Sequence, residues 1–172
     1  TQTNPQIGTI IKDAAGIFNY RITGTDTVEV KNMTAKGKRK KAVKIPKTIK
    51  VNGRTLKVTG IAANAFKGNK KMTSVTIGSN VKKIGSGAFM NCRNLTRVTV
   101  TAKGLTSIGK NAFKGDRKFK TVNLRKVKAL KKVGKGAFKG ISKKVTVKVP
   151  KQKKKAYSKL LKKAGIAAGR IK

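Results

Sequence analysis

The sequence contains no histidine, one cysteine and only four acidic residues among 172. A single cysteine, Cys92, cannot form a disulfide within the chain. Without histidine, the chain lacks the most frequent general base and metal ligand. The acids Asp13, Asp26, Glu29 and Asp116 are too scattered for a paired-carboxylate hydrolase or a metal site. These shortages predict a protein that is not an enzyme and has no cofactor.

Aromatic residues and long apolar runs are also scarce. Six phenylalanines, two tyrosines and no tryptophan leave few rings for stacking on single-stranded nucleic acid. No run approaches the roughly 20 apolar residues that a membrane-spanning helix needs. The first residues do not show the charged-then-apolar order of a secretory signal. The sequence therefore predicts no transmembrane segment.

Basic residues are present in large excess. Forty-five lysines and arginines give a formal net charge of +41, and such a field attracts polyanions. Eight of the 45 are arginine and the other 37 are lysine. Because the lysine ammonium is a hydrated point charge that makes no bidentate contacts, this composition favours tolerant polyanion binding over sequence-specific recognition.

One pattern occurs four times between residues 55 and 150. Its anchors are Phe66, Phe89, Phe113 and Phe138, at spacings of 23, 24 and 25 residues. Alanine precedes each phenylalanine, and an isoleucine or valine stands five residues before it. Two aliphatic residues follow at nine and eleven positions after it, as in an alternating strand. This period, with one short strand per copy, predicts a solenoid in which stacked copies bury a shared core.

Each copy also contains a short turn around its Ala-Phe pair. The segment is too short for an ordinary helix, so we expect one helical or 3₁₀ turn that directs the phenylalanine inward. Lys144 interrupts the pattern, because the other copies have Met72, Leu95 or Phe119 at this position. We therefore expect an irregular last repeat in which Ile141 or Val145 fills the space.

The pattern "IGxxAF…L/MxxVxI" resembles the BspA-type, or Treponema-type, leucine-rich repeat of bacterial surface proteins. The resemblance is close over residues 55–150 and looser in the flanks. It implies a leucine-rich-repeat solenoid that is mainly β with short helical or 3₁₀ turns. It also implies a non-catalytic role in adhesion or interaction at the cell surface.

The flanking segments are predicted to be caps. Residues 1–54 contain several alternating stretches and form a β cap that includes the first solenoid strand, at residues 43–45. The stretch "IKVNGRTLKV" predicts a β-hairpin with Asn52 and Gly53 at its tip. Residues 151–172 are predicted to form a basic capping helix, which ends at Gly165, and a tail. The predicted apolar face of this helix is Ala156, Tyr157, Leu160, Leu161 and Ala164, and we expect it to cover the open sheet edge of the last repeat.

The candidate binding residues are basic side chains that follow the phenylalanines by one, four or five positions. They are Lys67, Lys70, Lys71, Arg93, Lys114, Arg117, Lys118, Lys139 and Lys143. If the copies stack at strand spacing, these charges fall within a Debye length of about 8 Å and act jointly. The outward strand positions are mostly neutral and carry hydroxyl groups.

Three other features have simpler interpretations. Cys92 is structural, because the equivalent positions hold Asn69, Asp116 and Ile141 and no histidine activates the thiol. Residues 36–41, "KGKRKK", resemble a nuclear-localisation or nucleic-acid patch, but in so basic a chain we favour a basic loop within the cap. The C-terminal helix could lie on an anionic membrane, yet capping would use its apolar face.

These observations predict a non-catalytic, extracellular or cell-surface module that binds polyanions. The expected partners are teichoic acids, acidic or sulfated glycans, or extracellular DNA, and no small-molecule substrate is expected. Two alternatives remain open. The chain could be a nucleic-acid-binding protein, or a protein-binding adhesin in which the charge is incidental.

Overall fold

The computed structural model describes residues 6–172, and most of its regular structure consists of short strands in two sheets. The strands of the first sheet are β1 (Ile10–Lys12), β2 (Phe18–Ile22), β3 (Thr27–Met33), β5 (Thr48–Val51), β6 (Arg54–Ile61), β8 (Lys83–Ile84), β10 (Ser107–Ile108) and β12 (Lys132–Val133). Those of the second are β4 (Ala42–Ile45), β7 (Ser74–Ile77), β9 (Arg97–Val100), β11 (Thr121–Asn123) and β13 (Thr146–Lys148). The helices are α1 (Ala35–Lys38), α2 (Lys154–Lys163) and two 3₁₀ turns, Lys151–Lys153 and Ala168–Arg170.

The second sheet is a parallel ladder with the order β13-β11-β9-β7-β4. One valine from each strand lies in register with the next, and all five are buried. These valines are Val43, Val75, Val98, Val122 and Val147. The alternation of aliphatic and polar residues therefore places one side of every strand in the core, and the predicted solenoid and its first strand are confirmed.

The first sheet has the order β1-β2-β3-β6-β8-β10-β12, with β5 paired to β6. Its repeated part is narrow, because β8, β10 and β12 have two residues each and a glycine follows each of them. A Cβ on Gly85 would lie 2.5 Å from the backbone nitrogen of Ala63 in the preceding copy. Glycine thus lets successive copies approach at this corner, and Ala62 is tolerated in the first copy, where β3 precedes it.

The Ala-Phe segments are tight turns with hydrogen bonds of the 3₁₀ type rather than regular helical turns, and they bury the phenylalanines as expected. In the first copy, N–H groups bond three residues back, from Lys67 to Asn64 O at 3.1 Å and from Asn69 to Phe66 O at 3.1 Å. Two residues before each phenylalanine the backbone has a positive φ, which interrupts any helix. These positions are Asn64 (58°), Gly87 (62°), Asn111 (55°) and Gly136 (67°).

The last repeat closes in register with its neighbour despite Lys144. Lys144 is exposed, whereas Val145 is buried and Ile141 is half-buried against the core. Val145 therefore fills the space, and β13 pairs regularly with β11.

The N-terminal cap combines antiparallel and parallel pairing. Strands β1, β2 and β3 are antiparallel, and β3 then pairs in parallel with β6, where the repeats begin. The predicted hairpin is present as β5 and β6, with φ of 49° at Asn52 and 76° at Gly53. Residues 36–41 form the end of α1 and a loop before β4, so the predicted basic loop is partly helical. The Thr34 side chain caps α1 by accepting from the Gly37 N–H at 3.1 Å.

The C-terminal segment covers the last repeat in two pieces. Tyr157, Leu161 and Ala164 of the helical face are buried and Leu160 is half-buried, but Ala156 is exposed, contrary to the prediction. Gly165 ends this segment with φ 112°.

The helix does not cover the open edge of the second sheet as we expected. The tail covers it instead, because Ile171 bridges to Val147 and the Lys172 N–H donates to Val147 O at 2.8 Å. Helix α2 instead lies against β12, the last strand of the first sheet. Ala164, which follows the helix, accepts from the Phe138 N–H of the last Ala-Phe turn at 3.0 Å.

Candidate polyanion interface

The Ala-Phe turns form a third ladder between the two sheets. The Phe66 N–H donates to Ala88 O and the Phe89 N–H to Ala112 O, both at 2.7 Å, and the later turns repeat this bond. The four phenylalanine rings are buried and stacked, with centroids 4.8, 5.1 and 5.3 Å apart. The turns are therefore held in register at a spacing of about one strand.

The residue directly after each phenylalanine belongs to this ladder. Main-chain carbonyls of Met90, Lys114 and Lys139 accept from N–H groups of the preceding turn at 2.8 to 2.9 Å. Lys67, Lys114 and Lys139 are exposed, and Met90 interrupts the series in the second copy. We call these three lysines the first basic column.

The second basic column lies four and five residues after each phenylalanine. It comprises Lys70, Lys71, Arg93, Arg117, Lys118 and Lys143, all exposed. Asn94, which the sequence analysis missed, connects this column. Its Nδ2 donates to Lys70 O at 2.7 Å, and the Lys118 Nζ donates to its Oδ1 at 2.9 Å. The available signal was an asparagine at a position where three copies have lysine.

No carboxylate offsets either column within residues 6–172. The two ion pairs in that range, Arg21 with Glu29 and Lys57 with Asp26, both lie at the N-terminal end. Asp116, the one acid in the repeats, is fully buried. The basic turns therefore keep their charge available to an external anion.

The outward face of the second sheet is mostly neutral. Alternation places its outward side chains beside one another on successive strands, and the neutral ones are half-buried. The neutral ones are Ser74, Thr76, Thr99, Thr121, Asn123 and Thr146, and the basic ones include Lys44, Arg97 and Lys148. This face can donate and accept hydrogen bonds but carries little charge of its own.

Cys92 and Asp116 form a buried pair between adjacent turns. The Cys92 N–H donates to Asp116 Oδ1 at 2.8 Å, and the thiol donates to Phe66 O at 3.1 Å. Burial raises the pKa of Asp116 to about 9, and the Cys92 N–H bond opposes this in part. Burial, and then the nearby Asp116, also raises the pKa of Cys92 far above its ordinary value. The pair is therefore neutral at pH 7, and the thiol is held in its unreactive form.

Other kinds of site find little support in the part of the chain that the structure describes. In that part, no three histidine, cysteine or acidic residues approach closely enough to hold a metal ion. None of its helices combines the length and apolarity that crossing a membrane would require. Helix α2 buries Tyr157 and Leu161 against the last repeat, so its exposed side is lysine-rich.

Two parallel strand ladders joined by stacked phenylalanine turns define a leucine-rich-repeat solenoid. The sequence model of the BspA-type leucine-rich repeat region matches residues 41–167 in six copies. The chain therefore belongs to the BspA-type leucine-rich repeat family. The match extends beyond residues 55–150 on both sides, so it includes β4 and α2.

Solved structures share this fold. A leucine-rich repeat protein from Bacteroides capillosus is 22% identical with a TM-score of 0.69, over 81% of this chain and 97% of that one. A second, from Bacteroides ovatus, is 28% identical with a TM-score of 0.64, over 82% of this chain and 37% of that one. A leucine-rich cell surface protein from Faecalibacterium prausnitzii is 21% identical with a TM-score of 0.59, over 82% of this chain and 45% of that one. No match is found among curated proteins.

Proposed function

We propose that this chain is a non-catalytic module that binds polyanionic polymers at the bacterial cell surface or outside the cell. The observation that carries the proposal is the pair of basic columns. Exposed lysines and arginines lie on hydrogen-bonded turns stacked about 5 Å apart, and no carboxylate among residues 6–172 pairs with them. Candidate polymers are teichoic acids, acidic or sulfated glycans, and extracellular DNA.

The spacing of the columns supports joint action. At physiological ionic strength, charges separated by less than about 8 Å act together on a neighbouring anion. A linear polyanion lying along the stack would meet one set of basic side chains at each turn. Each contact releases condensed counterions, so binding strengthens with every turn engaged.

The chemistry of the columns supports recognition of charge density. Seven of the nine column residues are lysine, and the other two are Arg93 and Arg117. Lysine contacts an anion as a point charge and reads neither base edges nor sugar stereochemistry. We therefore expect similar affinities for polymers of similar charge density.

The proposed location rests on likeness alone. The family is that of BspA-type repeats, and one structural neighbour is described as a cell surface protein. Mucin-type glycans and cell-wall polymers are the anions that a protein in this location would meet.

A second candidate function is adhesion to another protein. The outward face of the second sheet favours it, because hydroxyl and amide side chains lie beside one another on the four strands β7, β9, β11 and β13. In that case the basic turns would border the contact and mainly influence the association rate.

The experiment is a salt titration of binding to lipoteichoic acid, heparin, mucin and duplex DNA. We expect log K to fall linearly with log salt, with a slope steeper than about −4 on duplex DNA. The variant Lys114→Gln, Arg117→Gln, Lys118→Gln should flatten the slope on every polymer. The control Lys12→Gln, Lys47→Gln, Lys50→Gln removes the same charge from exposed positions outside the columns.

The two variants separate site-specific binding from a general effect of charge. A larger loss for the column variant supports the proposal. Equal losses would show that only net charge matters, and affinity that does not depend on salt would favour the protein-binding alternative.

A further inference from the structure

A basic hollow of about 730 Å³ opens beside the carboxyl ends of β11 and β13. We call it the terminal pocket. Five basic residues line it, and the apolar surface of Val149 and Pro150 contributes the rest together with Gln152. The basic residues are Arg125, Lys128, Lys151, Lys153 and Lys172. None of them belongs to the two basic columns.

Three separate chain segments build the walls, and hydrogen bonds hold each in place. The loop after β11 carries Arg125, whose N–H donates to Asn123 Oδ1 at 3.1 Å. The buried hydroxyl of Tyr157 fixes the same loop by donating to Val127 O and accepting from the Leu130 N–H, both at 3.1 Å. Lys172 is held on the other side, because the Val149 N–H donates to Lys172 O at 2.8 Å. The pocket is therefore preformed.

The charged groups of this pocket have no internal partner. Within residues 6–172, the side-chain nitrogens of the five basic residues make no hydrogen bond or ion pair. The nearest acid along the chain, Asp116, is buried and protonated at neutral pH because of its raised pKa. Placing five like charges around one hollow is unfavourable unless an anion occupies it.

The same sheet edge has a second hollow that serves as an internal comparison. At the carboxyl end of β4 and β7, a cavity of about 460 Å³ is lined by Thr48, Thr76, Ser79 and Thr101, with two lysines, Lys44 and Lys47. The repeat therefore produces a hollow at both ends of this edge, but only the terminal pocket concentrates basic side chains. Its charge is not a simple consequence of the fold.

We propose that the terminal pocket binds a tetrahedral oxyanion ester, a phosphate monoester or a sulfate ester, that projects from a polymer as an end group or side group. This inference rests on the proposed polyanion-binding function and deepens it. Arg125 supplies a planar guanidinium that can pair with two oxygens of such a group, and the four lysines add point charges. The three walls admit a projecting group, whereas a continuous polymer backbone would lie on the open columns.

The test uses the full chain and two small probes, glycerol phosphate and glucosamine 6-sulfate, measured by calorimetry at about 150 mM salt. We expect saturable binding of at least one probe with one site per chain. The double variant Arg125→Gln, Lys128→Gln should weaken it about tenfold or more. The control Lys70→Gln, Lys71→Gln removes the same charge from the second basic column and should change it less than about twofold.

Two further measurements sharpen the result. Arg125→Lys keeps the charge and loses the paired contact, so its affinity should lie between those of the wild type and the double variant. A phosphate monoester loses charge below its second pKa of about 6, so its binding should weaken between pH 7 and pH 5, whereas sulfate binding should not. Binding of only one probe identifies which ester the pocket takes.

The inference would be overturned if neither probe gave saturable binding, or if both double variants lost equal affinity. These outcomes would leave salt-dependent polymer binding through the columns untouched. Failure of the proposed function would give the opposite result, with polymer affinity insensitive to the columns while the small esters still bind.

Discussion

The N-terminal cap and the repeats are stabilised by different interactions. Three of the four acids lie in the cap, where Glu29 pairs with Arg21, Asp26 pairs with Lys57, and Asp13 accepts from the Tyr20 hydroxyl. The repeats have one acid, which is buried, and are held by main-chain ladders and stacked rings. Uncharged interactions therefore maintain the repeats, and their surface charge is free to vary.

This difference explains how lysine can fill the turns. In a fold stabilised by surface ion pairs, replacing carboxylates with lysine would remove the pairs. Here the main-chain bonds between turns do not depend on the side chains that project from them. Repulsion among the lysines destabilises the fold. The buried core, which contains none of these lysines, opposes this destabilisation.

The largest expected effect comes from breaking the ring stack of the repeats. Phe113 is 1% exposed and stacks between Phe89 and Phe138. Phe113→Ala should lower the free energy of unfolding by about 3–5 kcal/mol, because it removes buried apolar surface and leaves a cavity. Thermal and urea unfolding monitored by circular dichroism measure the loss.

Lys114→Ala is the matched control, since it alters the next residue, which is exposed. It should change the free energy of unfolding by less than about 0.5 kcal/mol. Similar losses in the two variants would contradict the repeat alignment. They would mean that the stack contributes no more to stability than the exposed turn residue beside it.

An effect of opposite sign is expected at the one acid in the repeats. Because burial raises the pKa of Asp116 to about 9, the folded chain retains a proton that the unfolded chain releases above pH 4. Stability should therefore fall as pH rises from about 4 to about 9. Asp116→Asn has the shape of the neutral acid and keeps the acceptor for the Cys92 N–H. It should therefore be equally stable near pH 4, more stable than wild type by about 3 kcal/mol at pH 6, and more so at pH 8.

The cap offers the control for this prediction. Asp13 is half-buried and accepts from the Gly16 N–H at 3.2 Å as well as from Tyr20. Asp13→Asn makes the same replacement of a carboxyl by an amide outside the buried core, so its effect on the free energy of unfolding at pH 8 should be smaller than that of Asp116→Asn. Unfolding curves at pH 4, 6 and 8 test the prediction. If the difference in the free energy of unfolding between Asp116→Asn and wild type did not change with pH, Asp116 would be ionised in the folded chain.

Much of this fold could be predicted because the same residues recur four times. The spacing of Phe66, Phe89, Phe113 and Phe138 indicates the stack, and the alternating aliphatics indicate the second sheet. The positive φ within these turns was not predicted, because at Asn64 and Gly87 it follows from packing between copies. A Cβ on Gly87 would lie 2.5 Å from Asn64 Oδ1, so asparagine in one turn favours glycine in the next.

The candidate sites were less accessible from the sequence than the core. The basic columns follow from the repeat alignment, since their members keep a fixed distance from each phenylalanine. The terminal pocket does not, because Arg125, Lys151 and Lys172 come from segments that only the folded chain brings together. The burial of Asp116 is also not predictable from the repeat, because the same position is not buried in every copy. The equivalent Asn69 is only half-buried.

The smallest expected effect concerns an ion pair between the cap and β6, where the repeats begin. Lys57 Nζ lies 3.2 Å from Asp26 Oδ2, and both side chains are more than half exposed. A double-mutant cycle with Asp26→Asn and Lys57→Gln should give a coupling of about 0.2–1 kcal/mol at low salt, falling toward zero at about 1 M salt. The main-chain bond from the Lys57 N–H to Asp26 O, at 2.7 Å, remains in every variant, so the cycle isolates the side chains. Coupling well above this range, or coupling that survives high salt, would mean that ion pairs contribute substantially to stability at this end of the chain. The near absence of ion pairs from the repeats would then cost them stability, contrary to the comparison drawn above.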